Sequence, residues 1–172
     1  PESLRKAIAS GKKILVFINP PYAESANPEN IASNENSESK VGVSKTQVAE
    51  TMNSQGYAAR ELFVQFLMRT QKEIPNATLA MFSTLKYVNA PNFEGFRESW
   101  NAKYLAGFVV HNKAFDGLNG NFPIGFLIWT TSQDDKQRQP IIEITAEVLD
   151  KKAQPIGEKH FYNLPSNQLL SS

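Results

Sequence analysis

The sequence contains no cysteine and only two histidines among its 172 residues. Without cysteine, the chain has neither a disulfide framework nor a cysteine-bound zinc site. His111 and His160 are far apart, and neither has a metal-ligand partner at a helical spacing, so we expect no bound metal. No apolar run approaches the length of about 18 residues that a transmembrane helix needs. Residues 1–6 do not resemble a signal peptide, so we expect a cytoplasmic protein with no membrane partner.

Glycine is scarce in the places where a nucleotide site would need it. The chain has nine glycines, and no two of them form a Gly-x-Gly pair. It therefore lacks the glycine-rich loop, between a strand and a helix, that holds the phosphates of a dinucleotide. The net charge is only +1, which argues neither for nor against a nucleic-acid partner, although a compact DNA-binding protein is often more basic.

The length and the apolar pattern are typical of a single α/β domain. Four apolar runs predict core strands, at residues 14–18, 78–85, 105–111 and 123–130. Residues 46–74 predict a long helix with a break near Gly56, and a second helix begins at Asn92. Strands joined by helices should run parallel, whereas the third and fourth strands, joined by a loop of about ten residues, should be antiparallel neighbours.

One stretch carries most of the functional information, Ile14 to Ile18 followed by Asn19-Pro20-Pro21-Tyr22. The apolar run predicts a buried strand at the centre of the fold. The two prolines end that strand, because proline has no N–H for the ladder and a fixed φ. Ligands of open α/β sheets bind at the carboxyl ends of the strands. Here Asn19 offers an acceptor and a donor, the carbonyls add acceptors, and Tyr22 offers a ring for stacking. These groups suit a planar ligand with an amino group.

Asn19-Pro20-Pro21-Tyr22, at the end of such a strand, resembles the catalytic motif of amino-group methyltransferases that use S-adenosylmethionine. The closest likeness is to the DNA adenine-N6 methyltransferases of restriction–modification systems. The resemblance implies that Asn19 and the Pro20 carbonyl hold the target amine, that Pro21 completes the turn, and that Tyr22 stacks on a flipped adenine.

In that family an aromatic residue between the last two core strands packs on the second face of the flipped base. Phe115 is the first candidate for this role and Phe122 the second. Phe122 directly precedes Pro123 and the fourth strand, so it is also well explained as a core residue.

The resemblance implies S-adenosylmethionine as the cofactor, but the chain lacks the family's glycine-rich cofactor loop and the acidic residue that holds the ribose. Asn19 would touch only the edge of the cofactor pocket. The chain thus looks like the second half of a Rossmann-like methyltransferase sheet, with parallel strands, one antiparallel strand and a C-terminal β-hairpin. We expect the other half to precede this chain or to come from a partner chain, and we expect the open edge of the sheet to favour self-association.

The chain is expected to divide into two regions. Residues 1–131 form the catalytic half, with a mobile loop at 23–45, and residues 132–172 form a linker and a β-hairpin extension. The loop is rich in Ser, Asn and Glu, and it is either a lid over the site or a solvated loop without a role. The hairpin either begins a target-recognition part or extends the sheet edge, and the sequence slightly favours the extension.

Three functions are compatible with these features. The first is methyl transfer to the N6 amine of adenine in DNA, which the long segment after Tyr22 and the extra hairpin favour. The second is methyl transfer to protein glutamine or RNA guanine, since those enzymes use nearly the same turn. The third is a nucleic-acid-binding module without catalysis, in which the turn is only scaffold.

Overall fold

The computed structural model describes residues 1–21, 46–74, 76–115, 120–134 and 143–163. Tyr22 and the predicted mobile loop at 23–45 lie outside these residues. The helices are α1 (Glu2–Ala9), α2 (Gln47–Glu50), α3 (Leu62–Glu73), α4 (Lys86–Asn89) and α5 (Glu94–Ser99). Short 3-10 segments occupy Asn53–Arg60, Pro91–Phe93 and Asn112–Ala114. The strands are β1 (Leu15–Ile18), β2 (Thr78–Thr84), β3 (Ala102–His111), β4 (Pro123–Thr131), β5 (Glu143–Leu149) and β6 (Pro155–Tyr162).

The strands form one mixed sheet in the order β1-β2-β4-β3-β5-β6. β1 and β2 are parallel, as expected for strands joined by helices. β4 is antiparallel to both β2 and β3, and it lies between them. The predicted α/β class, with parallel strands and an antiparallel strand, is therefore confirmed.

The C-terminal hairpin is an extension of this sheet. β5 and β6 pair antiparallel, from Glu143 opposite Tyr162 to Leu149 opposite Pro155. β5 also pairs in parallel with β3, through three residue pairs that begin at Phe108 and Glu147. The interpretation of the hairpin as an edge extension is the one that the pairing supports.

The main core lies between one face of the sheet and the helices. Its largest fully buried side chains are Trp100, Trp129, Tyr87, Phe63, Phe93 and Phe96. Trp129 Nε1 donates to the Tyr87 hydroxyl at 3.1 Å, and burial raises the pKa of Tyr87 well above its usual value. The buried Arg97 donates to the carbonyls of Tyr87 and Ala90, at 3.2 and 2.9 Å. The Trp129 and Tyr87 side chains are thus paired with each other, and Arg97 is paired with the backbone through one nitrogen, whereas its Nε has no hydrogen-bond partner among the described residues.

The prediction that the first strand is buried at the centre of the fold is wrong. β1 is the first strand in the sheet order, and its residues alternate in exposure. Val16 and Ile18 pack against the core, whereas Leu15 and Phe17 are 66% and 67% exposed. An unbroken apolar run indicates a strand with two apolar faces, and in the described part of the chain only one of those faces is covered.

The helix predicted to run from Asn92 is shorter than expected, and α5 begins at Glu94 after a 3-10 turn. The predicted loop after β2 begins with the short helix α4. The predicted break near Gly56 is confirmed, because this residue has φ 57° and ψ −122° between α2 and α3. A positive φ of this kind is tolerated by glycine because it has no Cβ.

We expect Gly107→Ala to destabilise the fold strongly. Gly107 lies in β3 opposite Leu127, and a Cβ there would stand 2.5 Å from the Phe126 carbonyl oxygen and 2.7 Å from Leu127 Cδ2. Forcing atoms into a packed site costs about 1–3 kcal/mol or more, which urea denaturation would measure. Gly95→Ala is the matched control, because its Cβ would approach no atom closer than 3.4 Å. Equal stability of the two variants would contradict this account of β3 and β4.

Candidate functional site

The directions of the strands bring the predicted site residues together at one edge of the sheet, the edge at which the carboxyl ends of the parallel strands lie. β1, β2 and β3 all end at this edge, and the antiparallel β4 begins there. Among the described residues, the edge is therefore formed by the turn after Ile18, by Leu85 and Lys86, and by residues 112–115 and 120–122. Asn19, Pro20, Pro21, Phe115 and Phe122 all belong to it.

The turn after β1 presents an asparagine next to a buried proline. Asn19 is exposed, Pro20 is buried and Pro21 is exposed again. Side chains alternate along a strand, so Asn19 continues the side of the sheet on which Leu15 and Phe17 lie. The turn therefore has an exposed amide, which can accept and donate hydrogen bonds, next to a buried proline.

Five phenylalanine rings lie in a chain of contacts on that same side of the sheet, and we call this group the phenylalanine face (Phe17, Phe82, Phe108, Phe115 and Phe126). The Phe115 ring stands edge-on to Phe82, with centroids 5.6 Å apart. Phe82 lies 4.7 Å from Phe126, which lies 5.6 Å from Phe17. Phe108 packs on Phe126 at 5.2 Å.

The position of Phe115 is informative because of where its loop starts. The loop leaves β3, which is three strand intervals from β1, or about 14 Å. The Phe115 ring nevertheless contacts Phe82 of β2, the strand next to β1. It is half-buried, so one side of the ring is supported while part of it stays accessible.

Phe122 lines a cavity of about 510 Å³ together with Phe63, Leu85 and Phe161, and these three residues belong to the main core. The two aromatic candidates thus have different surroundings: the Phe115 ring lies against Phe82 of the phenylalanine face, and Phe122 borders a cavity beside core residues.

An ion pair lines the same cavity. Lys86 Nζ donates to Glu61 Oε1 at 2.8 Å, and the Glu61 side chain is only 6% exposed. A buried carboxylate needs such a partner, because an uncompensated buried charge is strongly destabilising. Lys86 is therefore engaged with Glu61 at the carboxyl end of β2, and it is not simply a solvated lysine at a strand end.

The glycine-rich loop with which the resembling family holds its cofactor has no counterpart after β1 or β2 in the described residues. The residues after β1 are a proline turn, and those after β2 enter α4 directly, so neither strand is followed by a glycine-rich loop. Asn19 and Pro20 could form one wall of a cofactor pocket, and a second wall would have to come from other residues. Within the described ranges, no three His, Asp or Glu residues group as metal ligands, and no helix is long and apolar enough to cross a membrane.

Phe82 and Phe126, the two residues that link Phe115 to Phe17, are not part of the motif or of the aromatic candidates that the sequence indicates. A signal for them exists in the alternation of the strands. Phe82 is paired opposite Phe126, and Phe126 opposite Phe108, so three neighbouring strands place phenylalanine at the same level of one face. Aligning the apolar positions of β2, β3 and β4 would have indicated this second apolar face.

No protein-family model matches the sequence, and no curated protein matches it. Among solved structures, the chain is similar to the ATP-dependent type ISP restriction-modification enzyme LlaBIII bound to DNA, with a TM-score of 0.44 and 13% identity over 87% of this chain and 10% of that one. It is similar to the type IIL restriction-modification enzyme MmeI in complex with DNA, with a TM-score of 0.44 and 13% identity over 89% and 19% of the two chains. The DrdV–DNA complex gives a TM-score of 0.42 and 13% identity over 92% and 16%. The chain thus spans between a tenth and a fifth of the length of these proteins. TM-scores of this size denote only a partial likeness of shape.

Proposed function

We propose that this chain is the amine-binding part of an S-adenosylmethionine-dependent methyltransferase that acts on the N6 amine of adenine in DNA. One observation carries the proposal. The Phe115 ring lies against Phe82 of β2 at the carboxyl edge of the sheet. β2 is the neighbour of β1, the strand that leads into Asn19-Pro20. An amine-holding turn and an aromatic ring on the same side of one edge are what a flipped base requires.

Each of these residues has a definite role in the proposal. The Asn19 side-chain carbonyl and the Pro20 backbone carbonyl accept the two hydrogens of the exocyclic amine, so the nitrogen lone pair stays on the nitrogen. Phe115 packs on one face of the base and Tyr22 stacks on the other. S-adenosylmethionine, when bound, supplies the electrophilic methyl group. The contribution of this chain is to position the acceptor, which can account for a large share of the rate.

The proposal includes a second structural unit that completes the cofactor pocket, either a further part of the polypeptide or a partner chain. Good small-molecule sites bury about 70–90% of the ligand surface, and the turn at Asn19 covers the cofactor from one side only. The exposed Leu15 and Phe17 on the edge strand β1 are where such a unit would dock. The location that goes with this proposal is the cytoplasm.

Sequencing of genomic DNA tests the function even when the recognition sequence is unknown. The intact gene is expressed in cells that lack adenine methylation, and their DNA is read by a single-molecule method that detects N6-methyladenine. We expect methylated adenine within one recurring short sequence. Unmodified DNA together with newly methylated glutamine in protein or methylguanine in RNA would instead support the alternative acceptors. A protein that binds DNA and methylates none of the three would be the non-catalytic module.

We expect Tyr22→Ala to slow methylation much more than Tyr22→Phe. Stacking needs the ring and not the hydroxyl, and it is worth about 1–3 kcal/mol per base, or about 5- to 150-fold in rate. Tyr162→Ala is a matched control, because Tyr162 is exposed on β6, far along the sheet from β1. Single-turnover rates measure the effect. Equal losses for Tyr22→Ala and Tyr22→Phe would show that the phenol oxygen matters and that the stacking role is wrong.

A further inference from the structure

Phe115 lies on the loop between β3 and β4, and a loop residue contributes to a reaction only if its position is fixed. The described part of this loop comprises residues 112–115 and 120–122. Its two ends are tied together by a set of hydrogen bonds in which one residue, Asn112, takes part repeatedly. The role inferred for Asn112 rests on the proposed function and deepens it.

Asn112 joins both ends of the loop through its backbone and its side chain. Its backbone N–H donates to the Phe122 carbonyl at 3.0 Å, and its Oδ1 accepts the Phe122 N–H at 3.2 Å. Its Nδ2 donates to the Gly120 carbonyl at 3.4 Å. The Phe115 N–H in turn donates to the Asn112 carbonyl at 3.0 Å. Asn112 therefore both joins the two ends of the loop and accepts the hydrogen bond that forms the turn carrying Phe115.

The Asn112 side chain is buried, and its amide forms hydrogen bonds through both its oxygen and its nitrogen. Asn112 is fully buried, and a buried amide is costly unless its groups are hydrogen-bonded. An apolar residue would fill the same space without directed bonds. An amide bonded to Phe122 and Gly120 instead fixes the separation of the two loop ends.

His111 supports the same turn from the surface. Its Nδ1 accepts the Lys113 backbone N–H at 3.1 Å. Its Nε2 lies 2.6 Å from Asn121 Oδ1, within hydrogen-bond distance. His111 thus connects the first turn of the loop to its last residues, alongside Asn112.

We propose that Asn112, supported by His111, is the positioning residue for Phe115. By closing the loop at its base, it holds the Phe115 ring against Phe82 of β2, on the side of the sheet where Asn19 presents its amide. The role is distinct from catalysis, since Asn112 is fully buried and would act only through the ring that it positions. Loss of its side chain should leave the fold in place and let the ring move.

The first test observes Phe115 directly and needs no enzyme activity. The protein is labelled with 4-fluorophenylalanine, which gives a fluorine signal for each of its 11 phenylalanines, and Phe115→Leu assigns the signal of interest. We expect Asn112→Ala and His111→Ala to shift or broaden that signal. Asn101→Ala is the matched control, because Asn101 is also buried and bonds a neighbouring loop, at 2.8 Å to the Asp134 carbonyl, but at the opposite end of β3.

The second test measures the consequence for the reaction. The substrate is a duplex oligonucleotide with the sequence that is methylated in cells, and its single-turnover methylation is followed. We expect Asn112→Ala to slow methylation by about 10- to 100-fold, because small misplacements of a positioning group are this costly. DNA affinity should stay the same, and Asn112→Ala combined with Phe115→Ala should be no slower than Phe115→Ala alone. Asn101→Ala should keep the full rate.

The outcomes separate the two proposals. An unchanged Phe115 signal in both Asn112→Ala and His111→Ala would overturn the positioning role, whatever the activity. Additive losses in the double variant would overturn it as well. A displaced Phe115 signal in the product of the intact gene, together with no methylation of adenine by that product, would support the positioning role and overturn the proposed function in DNA adenine methylation. If Asn112→Ala does not fold, His111→Ala decides, because His111 is exposed and its loss leaves the core intact.

Discussion

Asn19→Ala should lower the methylation rate by at least about 100-fold, the order of loss seen when one preorganised hydrogen-bonding group is removed from a reacting centre. Asn19 holds the amine only if its carbonyl oxygen faces the base, and no other described residue at the end of β1 provides a side-chain acceptor in this position. Folding should be unaffected, because Asn19 is exposed and lies outside the core. DNA affinity should also be retained, since it depends mainly on contacts to the sugar-phosphate backbone of the DNA. Single-turnover methylation and fluorescence anisotropy with the same duplex give the two quantities.

The matched control is Asn92→Ala, which removes another exposed asparagine that lies beside a proline in a turn. Asn19→Asp keeps an acceptor oxygen and should retain more activity than Asn19→Ala. The amine-holding role would be refuted by full activity of Asn19→Ala. Parallel loss of DNA binding and methylation would instead make the turn a binding element.

The isolated chain should show no saturable binding of S-adenosylmethionine at cofactor concentrations up to about 1 mM, where even a binding free energy of about −4 kcal/mol would be visible. The sequence has no Gly-x-Gly loop, and in the proposed function Asn19 and Pro20 contact the cofactor from one side only. Titration calorimetry measures this directly. Tight one-to-one binding to a monomeric chain would show that the pocket is complete and that the proposed second unit is not needed.

The exposed edge strand β1 leads to a further expectation for the isolated chain. Leu15 and Phe17 are about two-thirds exposed on the outermost strand, and an apolar edge of this kind pairs readily with another chain. We expect the isolated chain to self-associate in sedimentation experiments, and Phe17→Lys to reduce this association by placing a charge on the edge. Tyr162→Lys, at the other end of the sheet, serves as the control. Equal association of both variants would place the contact elsewhere.

The sequence predicted the strands well and the burial of the first strand poorly, for one physical reason. An apolar run shows that a strand has two faces to cover, but it does not say whether the same chain covers both. β2 and β4 each lie between two other strands of this chain. β1 has a neighbouring strand on only one side among the described residues, so Phe17 remains exposed although its sequence pattern is that of a buried strand.

The end of the helix near Trp100 shows a different limit. Phe93, Phe96, Trp100 and Tyr104 fit one helical face, yet α5 stops at Ser99. The Asn101 N–H donates to Gln71 Oε1 at 2.7 Å, and Ala102 pairs with Thr131 in the sheet. Gln71 lies 30 residues before Asn101, and Thr131 lies about as far after Ala102. Local periodicity contains no information about such distant partners. The placement of Phe115 against Phe82 depends on distant contacts in the same way.

The position of β4 between β2 and β3 has a consequence for synthesis of the protein. The inner edge of β2 is completed only by β4, and Ala77 is bonded to Thr131, 54 residues further along the chain. At a translation rate of about 5–20 residues per second, β2 waits roughly 3–10 seconds on the ribosome before its partner is made. During that time its apolar residues Leu79, Met81 and Phe82 have an unpaired edge beside them. The nascent chain should therefore need a chaperone most between the emergence of β2 and that of β4, and slowing translation after residue 84 should lower the yield of folded protein.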